Sequence, residues 1–179
     1  MKIIILGHGR HGKDTVAEMI REHYGLTFIS SSWGAAEKAV FPTLGPMYGY
    51  STVQECFDDR ANHRMEWMNL ITEYNTPDKG RLCREILEKS DCYVGMRCPE
   101  EFAAVRSLFG LAIWVDAGRR LPPDPTMKIE PDDNMLFIDN NLGFLDLADQ
   151  VRRLATVLEY SYWSSPAYTN SHFDPWEHL

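Results

Sequence analysis

Short apolar runs alternate along the chain with longer segments in which apolar residues recur at helical spacing. The runs predict five strands, at residues 2–6, 26–30, 92–95, 111–116 and 136–139. A helix should follow the first strand, another should begin at Pro99, and an amphipathic helix should cover about residues 144–158. Strands that are apolar throughout and alternate with helices indicate a parallel sheet covered on both faces. We therefore predict a three-layer α/β fold with a five-stranded parallel sheet.

The stretch between the second and third predicted strands is long and mostly helical, from about residue 33 to residue 89. Turn residues interrupt it, among them Pro42, the Gly45-Pro46 pair and the Asn75-Thr76-Pro77 turn. A chain of 179 residues with 44% hydrophobic content can bury one full core. We predict a single domain over residues 1–159 with this helical insert, followed by an irregular C-terminal arm at residues 160–179.

The composition limits the kinds of molecule that the protein is expected to bind. No stretch approaches eighteen apolar residues, so we expect neither a membrane partner nor a signal segment. The four cysteines lack metal-type spacing and are expected to stay reduced in a cytoplasm. A net charge of -8 argues against broad non-specific DNA binding, although a local basic groove stays open.

A glycine-rich turn joins the first strand to the first helix: Gly7, His8, Gly9, Arg10, His11, Gly12, Lys13, Asp14, Thr15. A buried strand, a turn ending in Gly-Lys and a helix are the context of a phosphate-binding loop. Its glycines let backbone N–H groups point into one concavity, to which the helix N-terminus adds partial positive charge. Lys13 would reach the β- and γ-phosphates, and we expect the side chains of His8 and His11 to point outward. The loop predicts a nucleoside triphosphate as ligand.

Asp14 stands where the common pattern has a Ser or Thr that binds Mg²⁺. A carboxylate beside a triphosphate can hold Mg²⁺ directly or through water, so Asp14 is the predicted metal ligand. The Gly-Lys-Asp-Thr form resembles the phosphate loop of bacteriophage deoxynucleoside monophosphate kinases, which are P-loop kinases related to adenylate and thymidylate kinases. The resemblance implies ATP and Mg²⁺ as cofactors, a nucleotide as substrate and, for a phage protein, the host cytoplasm as its location. The sequence does not fix the oligomeric state, and a homodimer is one alternative.

Two further segments resemble this family. The turn after the fifth strand, Ile138-Asp139-Asn140-Asn141, is similar to the last strand and helix of nucleotide kinases, which implies that Asn140 borders the adenine pocket. Arg97 and Glu101 match the Arg-x-x-x-Glu segment of phage deoxynucleotide kinases. The third strand ends in Gly95-Met96 and lacks the acidic residue common in that family.

The resemblance also implies a lid after the fourth strand. Arg119 and Arg120 occupy that place, and we expect one of them in the site, with Arg119 as the candidate. The following segment, residues 121–125, is short and stiffened by proline, so the lid is expected to be small.

Topology places the acceptor side in the insert. The hydroxyls of the run Ser30-Ser31-Ser32 could meet a phosphate or sugar, with Ser31 and Ser32 as the candidates, or the run could provide a helix cap. Arg60 and Arg64 are four residues apart and could clamp an anionic acceptor together with Arg97, or form surface salt bridges. The aromatic residues of the insert could stack a base, but at helical spacing most of them fit a core better.

The predicted chemistry is in-line phosphoryl transfer driven by positioning and charge. A free deoxynucleoside monophosphate needs no general base, because its attacking oxygen is already anionic. The alternative acceptor is the hydroxymethyl group of 5-hydroxymethyluracil within phage DNA, which would need a base such as Asp58, Asp59 or Asp14. Of these, Asp59 is the candidate catalytic residue. A P-loop NTPase switch is a further alternative, weakened by the missing acidic end of the third strand and by the lack of a GTPase base-recognition motif.

Overall fold

Five parallel strands form one sheet in the computed structural model, which describes residues 1–163. The strands are β1 (Ile3–Leu6), β2 (Phe28–Ser30), β3 (Cys92–Val94), β4 (Leu111–Asp116) and β5 (Leu136–Asp139). Their order across the sheet is β2-β3-β1-β4-β5, and every neighbouring pair is parallel. The predicted five-stranded parallel sheet is confirmed.

Helices cover both faces of this sheet. They are α1 (Lys13–Tyr24), α2 (Ser31–Ala35), α3 (Phe41–Tyr48), α4 (Val53–Asp58), α5 (Arg64–Tyr74), α6 (Arg81–Leu87), α7 (Pro99–Val105), α8 (Phe144–Arg152) and α9 (Leu154–Trp163). A π-helical turn at Ala36–Val40 joins α2 to α3, and short 3₁₀ turns lie at Asp59–Ala61 and Arg106–Leu108. Within residues 1–163, no helix combines the length and the apolar character needed to cross a membrane.

The C-terminal part differs from its prediction in two respects. The amphipathic helix ends at Arg152, and a second helix, α9, continues to Trp163. Residues 160–163 of the predicted irregular arm are therefore helical. The rest of that arm lies outside the described residues.

The central strands are buried on both faces, as a parallel sheet requires. Ile3 and Ile5 of β1 pack with α1 and α8, whereas Ile4 and Leu6 pack with α6 and α7. Successive side chains of a strand point to opposite faces, so this one apolar run supplies both halves of the core.

The helical insert has a small core of its own. Ala36, Val40, Leu44, Cys56 and Trp67 are its most buried members, and Phe41, Tyr50 and Phe57 pack against them. Phe41, Tyr50, Phe57 and Trp67, four of the aromatic residues that could have stacked a base, are thus packed in this core, as their spacing favoured. The rings of Trp33 and Phe57 are inclined at 65° with their centroids 5.3 Å apart, and Tyr48 is 43% exposed.

The parallel arrangement brings five strand ends to one edge of the sheet. Beyond them lie the turns that begin at Gly7, Ser31, Gly95, Ala117 and Asn140. In open α/β sheets ligands bind outside this edge. The candidate site is built there.

Candidate active site

The turn from Gly7 to Gly12 has the curvature of a phosphate-binding loop. Gly7 has a φ of +138°, and a Cβ atom there would come within 2.3 Å of the carbonyl oxygen of Val115. Gly12 has a φ of +95° and precedes α1, whose N-terminus receives no hydrogen bond from a capping side chain. The first N–H groups of α1 therefore remain available to an anion.

Lys13 lies inside this loop. Its Nζ donates a hydrogen bond to the carbonyl oxygen of His8 over 2.6 Å. Burial, followed by the positive charge of Arg97, lowers the pKa of Lys13 to about 8. The loop thus concentrates positive charge in a place that water reaches poorly.

The two loop histidines differ from the prediction that they point outward. His11 is 1% exposed, and its Nδ1 accepts a hydrogen bond from the backbone N–H of Ala117 at 3.0 Å. His8 accepts one through Nδ1 from the backbone N–H of Asp124 at 3.1 Å. Burial is the main cause that lowers the pKa of His11. Since β4 is the neighbour of β1, the connection after β4 runs beside the phosphate loop. The two histidines bind this connection to the loop through its backbone N–H groups.

Ser31 and Lys13 flank the end of β3. A Cβ atom on Gly95 would lie 3.0 Å from Oγ of Ser31 and 3.9 Å from Cε of Lys13. Ser30 caps α2 by accepting a hydrogen bond from the N–H of Trp33, and Ser32 Oγ lies 3.4 Å from Ser30 Oγ. Ser30 thus provides the predicted cap, which leaves Ser31 facing Lys13 across Gly95.

Arg97 follows β3 and joins the same group. Its Nη1 lies 3.0 Å from Oδ2 of Asp124 and also donates a hydrogen bond to Thr126. Its charge is one of the causes that lower the pKa of Lys13. Asp124 was not among the residues predicted for the site from the sequence. Its signal was the Asp-Pro-Thr turn, which places an acceptor carboxylate next to a backbone N–H and a hydroxyl.

Arg60 and Arg64 lie in the insert. The Arg60 guanidinium lies over the Phe57 ring at 4.0 Å and donates to the carbonyl oxygen of Phe57 at 2.7 Å. Arg64 is exposed at the start of α5. In this conformation Arg60 contacts its own helical segment, and of the three acceptor arginines it is Arg97 that lies near Lys13.

The acidic residues of the insert are engaged with neighbours. Asp59 accepts hydrogen bonds from the Tyr50 hydroxyl and from Asn62, and its Oδ2 lies 3.1 Å from Nε2 of His63. These contacts, that of Tyr50 first, lower the pKa of Asp59. Asp58 accepts a hydrogen bond from Gln54 at 2.8 Å. Both carboxylates are therefore tied to side chains of the insert.

The ends of β4 and β5 form a polar cluster on the other side of the loop. Asn140 donates through Nδ2 to the carbonyl oxygen of His11 at 2.9 Å. Arg119 pairs with Asp139 at 2.5 Å, and Arg120 donates through Nε to the carbonyl oxygen of Asn140 at 2.9 Å. Both predicted lid arginines are thus held at the end of β5, beside the turn predicted to border the base.

Asp14 is exposed in the first turn of α1, directly after Lys13, with Thr15 next to it. Among residues 1–163, no group of three His, Cys, Asp or Glu side chains is arranged to hold a metal ion. Mg²⁺ keeps several waters and is commonly held by one or two carboxylates with substrate phosphates. An exposed carboxylate at this position fits Mg²⁺ that is bound mainly through nucleotide and water, and the role of Asp14 as its ligand stays a prediction.

No protein-family model and no curated protein sequence matches this chain. Solved structures do. TT1252 from Thermus thermophilus is 16% identical over 89% of this chain and 97% of its own, with a TM-score of 0.52. A gluconokinase from Sinorhizobium meliloti 1021 is 17% identical over 89% and 95%, at 0.43. A shikimate kinase from Bacteroides thetaiotaomicron is 15% identical over 89% and 98%, at 0.47.

TT1252 supports the three-layer α/β fold and, at this identity, nothing beyond the fold. The two kinases align at lower TM-scores. The resemblance to phage enzymes stays a prediction from the loop motif.

Proposed function

We propose that this protein is a P-loop phosphotransferase that moves the γ-phosphoryl group of ATP to a deoxynucleotide, and that the acceptor is a free deoxynucleoside monophosphate. The observation that carries the proposal is that Lys13 and Ser31 flank Gly95 at the carboxyl edge of the sheet, with the charge of Arg97 close enough to lower the pKa of Lys13. Lys13 belongs to the phosphate loop, whereas Ser31 and Arg97 come from the side of the insert. A donor and an acceptor phosphate could therefore approach each other there.

Each side of this cleft would contribute charge or hydrogen bonds. The N–H groups of the loop and Lys13 would hold the triphosphate, and Arg97 would bind the acceptor phosphate or the transferred group. Bound Mg²⁺, held by Asp14, would neutralise phosphate charge. Asn140, which is bonded to the loop through the carbonyl oxygen of His11, and the polar cluster at the end of β5 would border the nucleoside of ATP. We keep Ser32, Arg60 and Arg64 as candidate acceptor contacts that would need the insert to close.

An anionic acceptor suits this site because Asp58 and Asp59, the candidate bases of the insert, are both bonded to neighbouring side chains. The hydrogen bonds to Asp59 favour its ionised form and lower its basicity. A monophosphate oxygen needs no deprotonation before it attacks, so the reaction can proceed by positioning and charge stabilisation.

One observation favours the second candidate, transfer to 5-hydroxymethyluracil in DNA. Asp124 presents a carboxylate against the phosphate loop, close to Arg97. A hydroxyl acceptor would need a proton acceptor at such a position, and Asp124 would serve as one only after release from Thr126 and Arg97, which lower its pKa. In that case Asp124 would take the role of general base that was predicted for Asp59.

The deciding experiment uses γ-labelled ATP and Mg²⁺ with a panel of acceptors, namely each deoxynucleoside monophosphate and DNA that contains 5-hydroxymethyluracil. We expect label in one monophosphate and none in DNA. Lys13→Ala should reduce transfer by about 100-fold or more, as loss of a preorganised charge contact does, whereas the exposed Lys89→Ala should leave it unchanged. Label in DNA alone would select the second candidate. Transfer by Lys13→Ala at the parental rate would refute both.

A further inference from the structure

A carboxylate from the connection between β4 and β5 lies against the phosphate loop. A Cβ atom on Gly9 would come within 2.6 Å of Oδ2 of Asp124, so the carboxylate rests directly on the loop backbone. The Asp124 side chain is 17% exposed, and its own backbone N–H is bonded to His8. The contact is therefore fixed from both the side chain and the main chain.

Four groups hold this carboxylate in its ionised form. The backbone N–H of Thr126 lies 2.9 Å and its hydroxyl 2.7 Å from Oδ1, and Arg97 lies 3.0 Å from Oδ2. Burial alone would raise the pKa of Asp124, but Thr126, the charge of Arg97 and a backbone hydrogen bond from Gly9 together lower it. Asp124 is thus an anion at neutral pH.

These are the contacts that a phosphate group would make. A loop N–H and a guanidinium are standard ligands for phosphate oxygens. The charge of Asp124 also raises the pKa of Lys13, so the same carboxylate partly neutralises the loop lysine. The protein satisfies part of its phosphate site with its own anion.

We propose that Asp124 is an internal competitor of the nucleotide phosphates: it occupies the phosphate loop and Arg97 in the free protein and is displaced when a triphosphate binds. The inference rests on the proposed function, because it requires the loop to bind phosphate. If the carboxylate competes in this way, Asp124 determines nucleotide affinity although Asp124 itself lies outside the loop motif.

The chain around Asp124 allows such a displacement. Ala117 is fully buried before it and Met127 is 7% exposed after it, so both ends are anchored in the core. Between them, residues 118–126 form a surface segment without helix or strand. An incoming phosphate repels the Asp124 carboxylate. The phosphate can then bind the Gly9 N–H and Arg97, while residues 118–126 move outward between the two buried ends.

The test measures binding by calorimetry, with MgATP and with inorganic tripolyphosphate as probes, for the parent protein, Asp124→Asn and Asp124→Ser. Asn and Ser can still accept the hydrogen bonds of Thr126, so the turn is kept while the charge is removed. We expect both variants to bind both probes about tenfold more tightly, because the competing charge is gone. The matched control is Asp132→Asn, since Asp132 accepts a similar turn hydrogen bond from Asn134 in the same connection. It should bind like the parent.

The outcomes separate the two proposals. If the parent binds MgATP and a folded Asp124 variant binds no more tightly, the competitor is refuted and the proposed function stands. If neither the parent nor the variants bind either probe, the proposed function fails.

Hydrogen exchange on the parent protein gives a measurement that needs no variant. Tripolyphosphate should increase exchange in residues 118–127, where the N–H groups of Thr126 and Met127 are bonded to Asp124, and decrease it in the phosphate loop. Increased protection of both segments would mean that the connection closes on the ligand, and this would overturn the proposal.

Discussion

The protonation state of Lys13 depends on what occupies the phosphate loop. In the free protein its Nζ donates to a backbone carbonyl, and burial together with Arg97 lowers its pKa to about 8. A triphosphate would supply several negative charges at the same place and favour the ammonium form. Binding of the nucleotide and protonation of Lys13 are therefore linked.

This linkage predicts how affinity depends on pH. Below pH 8, Lys13 is already charged in the free protein, so its titration does not alter the affinity for MgATP. Above pH 8 the free lysine loses its proton and binding must restore it, so affinity should fall by up to about tenfold for each further pH unit. Calorimetry from pH 7 to pH 9.5 in buffers of different ionisation enthalpy would measure this uptake of protons. A constant affinity over that range would contradict the pKa of Lys13.

Asp14 gives a second prediction at the scale of one residue. Asp14→Ala should raise the Mg²⁺ concentration needed for half-maximal transfer, because an exposed carboxylate beside the phosphates is lost, while Asp14→Ser should keep most of the activity through a hydroxyl ligand. Glu22→Ala, an exposed change on the same helix, is the control. The measurement is transfer as a function of Mg²⁺ concentration. Unchanged Mg²⁺ dependence in Asp14→Ala would remove Asp14 from the metal site.

Among the elements, one buried amide helps to join the end of α5 to the helices that cover the sheet. Asn75 follows α5 and is 3% exposed. Its Oδ1 accepts a hydrogen bond from the N–H of Leu82 in α6, and its Nδ2 donates to Glu101 of α7 at 2.9 Å. Burial raises the pKa of Glu101, which makes this donor important for the carboxylate. Glu101, part of the segment that resembles phage kinases, therefore serves to join three helices in this structure.

Asn75→Ala should lower the free energy of unfolding by about 2–3 kcal/mol, because a buried backbone N–H and a partly buried carboxyl lose their partner. The control Asn69→Ala lies on the exposed side of α5 and should change it by less than about 0.5 kcal/mol. Urea unfolding followed by circular dichroism would measure both values. Equal stability of the two variants would show that water replaces the Asn75 contacts without loss.

Across the whole molecule, periodicity and the loop motif predicted the sheet, the phosphate loop and the helical insert. Buried apolar runs and a Gly-Lys turn have few alternative structures, so those parts could be predicted. Asp124 and the buried side of His11 could not, since both depend on the path of residues 117–126, which has no periodicity. The packing of Arg60 on Phe57 likewise depends on the small core of the insert and not on helical spacing.

The net charge of the whole chain gives a way to distinguish a mononucleotide acceptor from a DNA acceptor. With 26 acidic and 18 basic residues, the protein should repel a polyanion outside a local groove, whereas a mononucleotide meets only the charges of the cleft. Raising salt from about 50 to 200 mM should therefore lower kcat/KM for a deoxynucleoside monophosphate by no more than about threefold, because few counterions are released. The kcat/KM for a DNA acceptor held by several phosphate contacts would fall about tenfold or more over the same range.

The measurement is initial-rate transfer at both salt concentrations, with Arg97→Ala included, since loss of its phosphate contact should raise the acceptor KM. A steep salt dependence that Arg97→Ala leaves unaltered would contradict the cleft proposed for the acceptor and favour a DNA groove elsewhere on the surface.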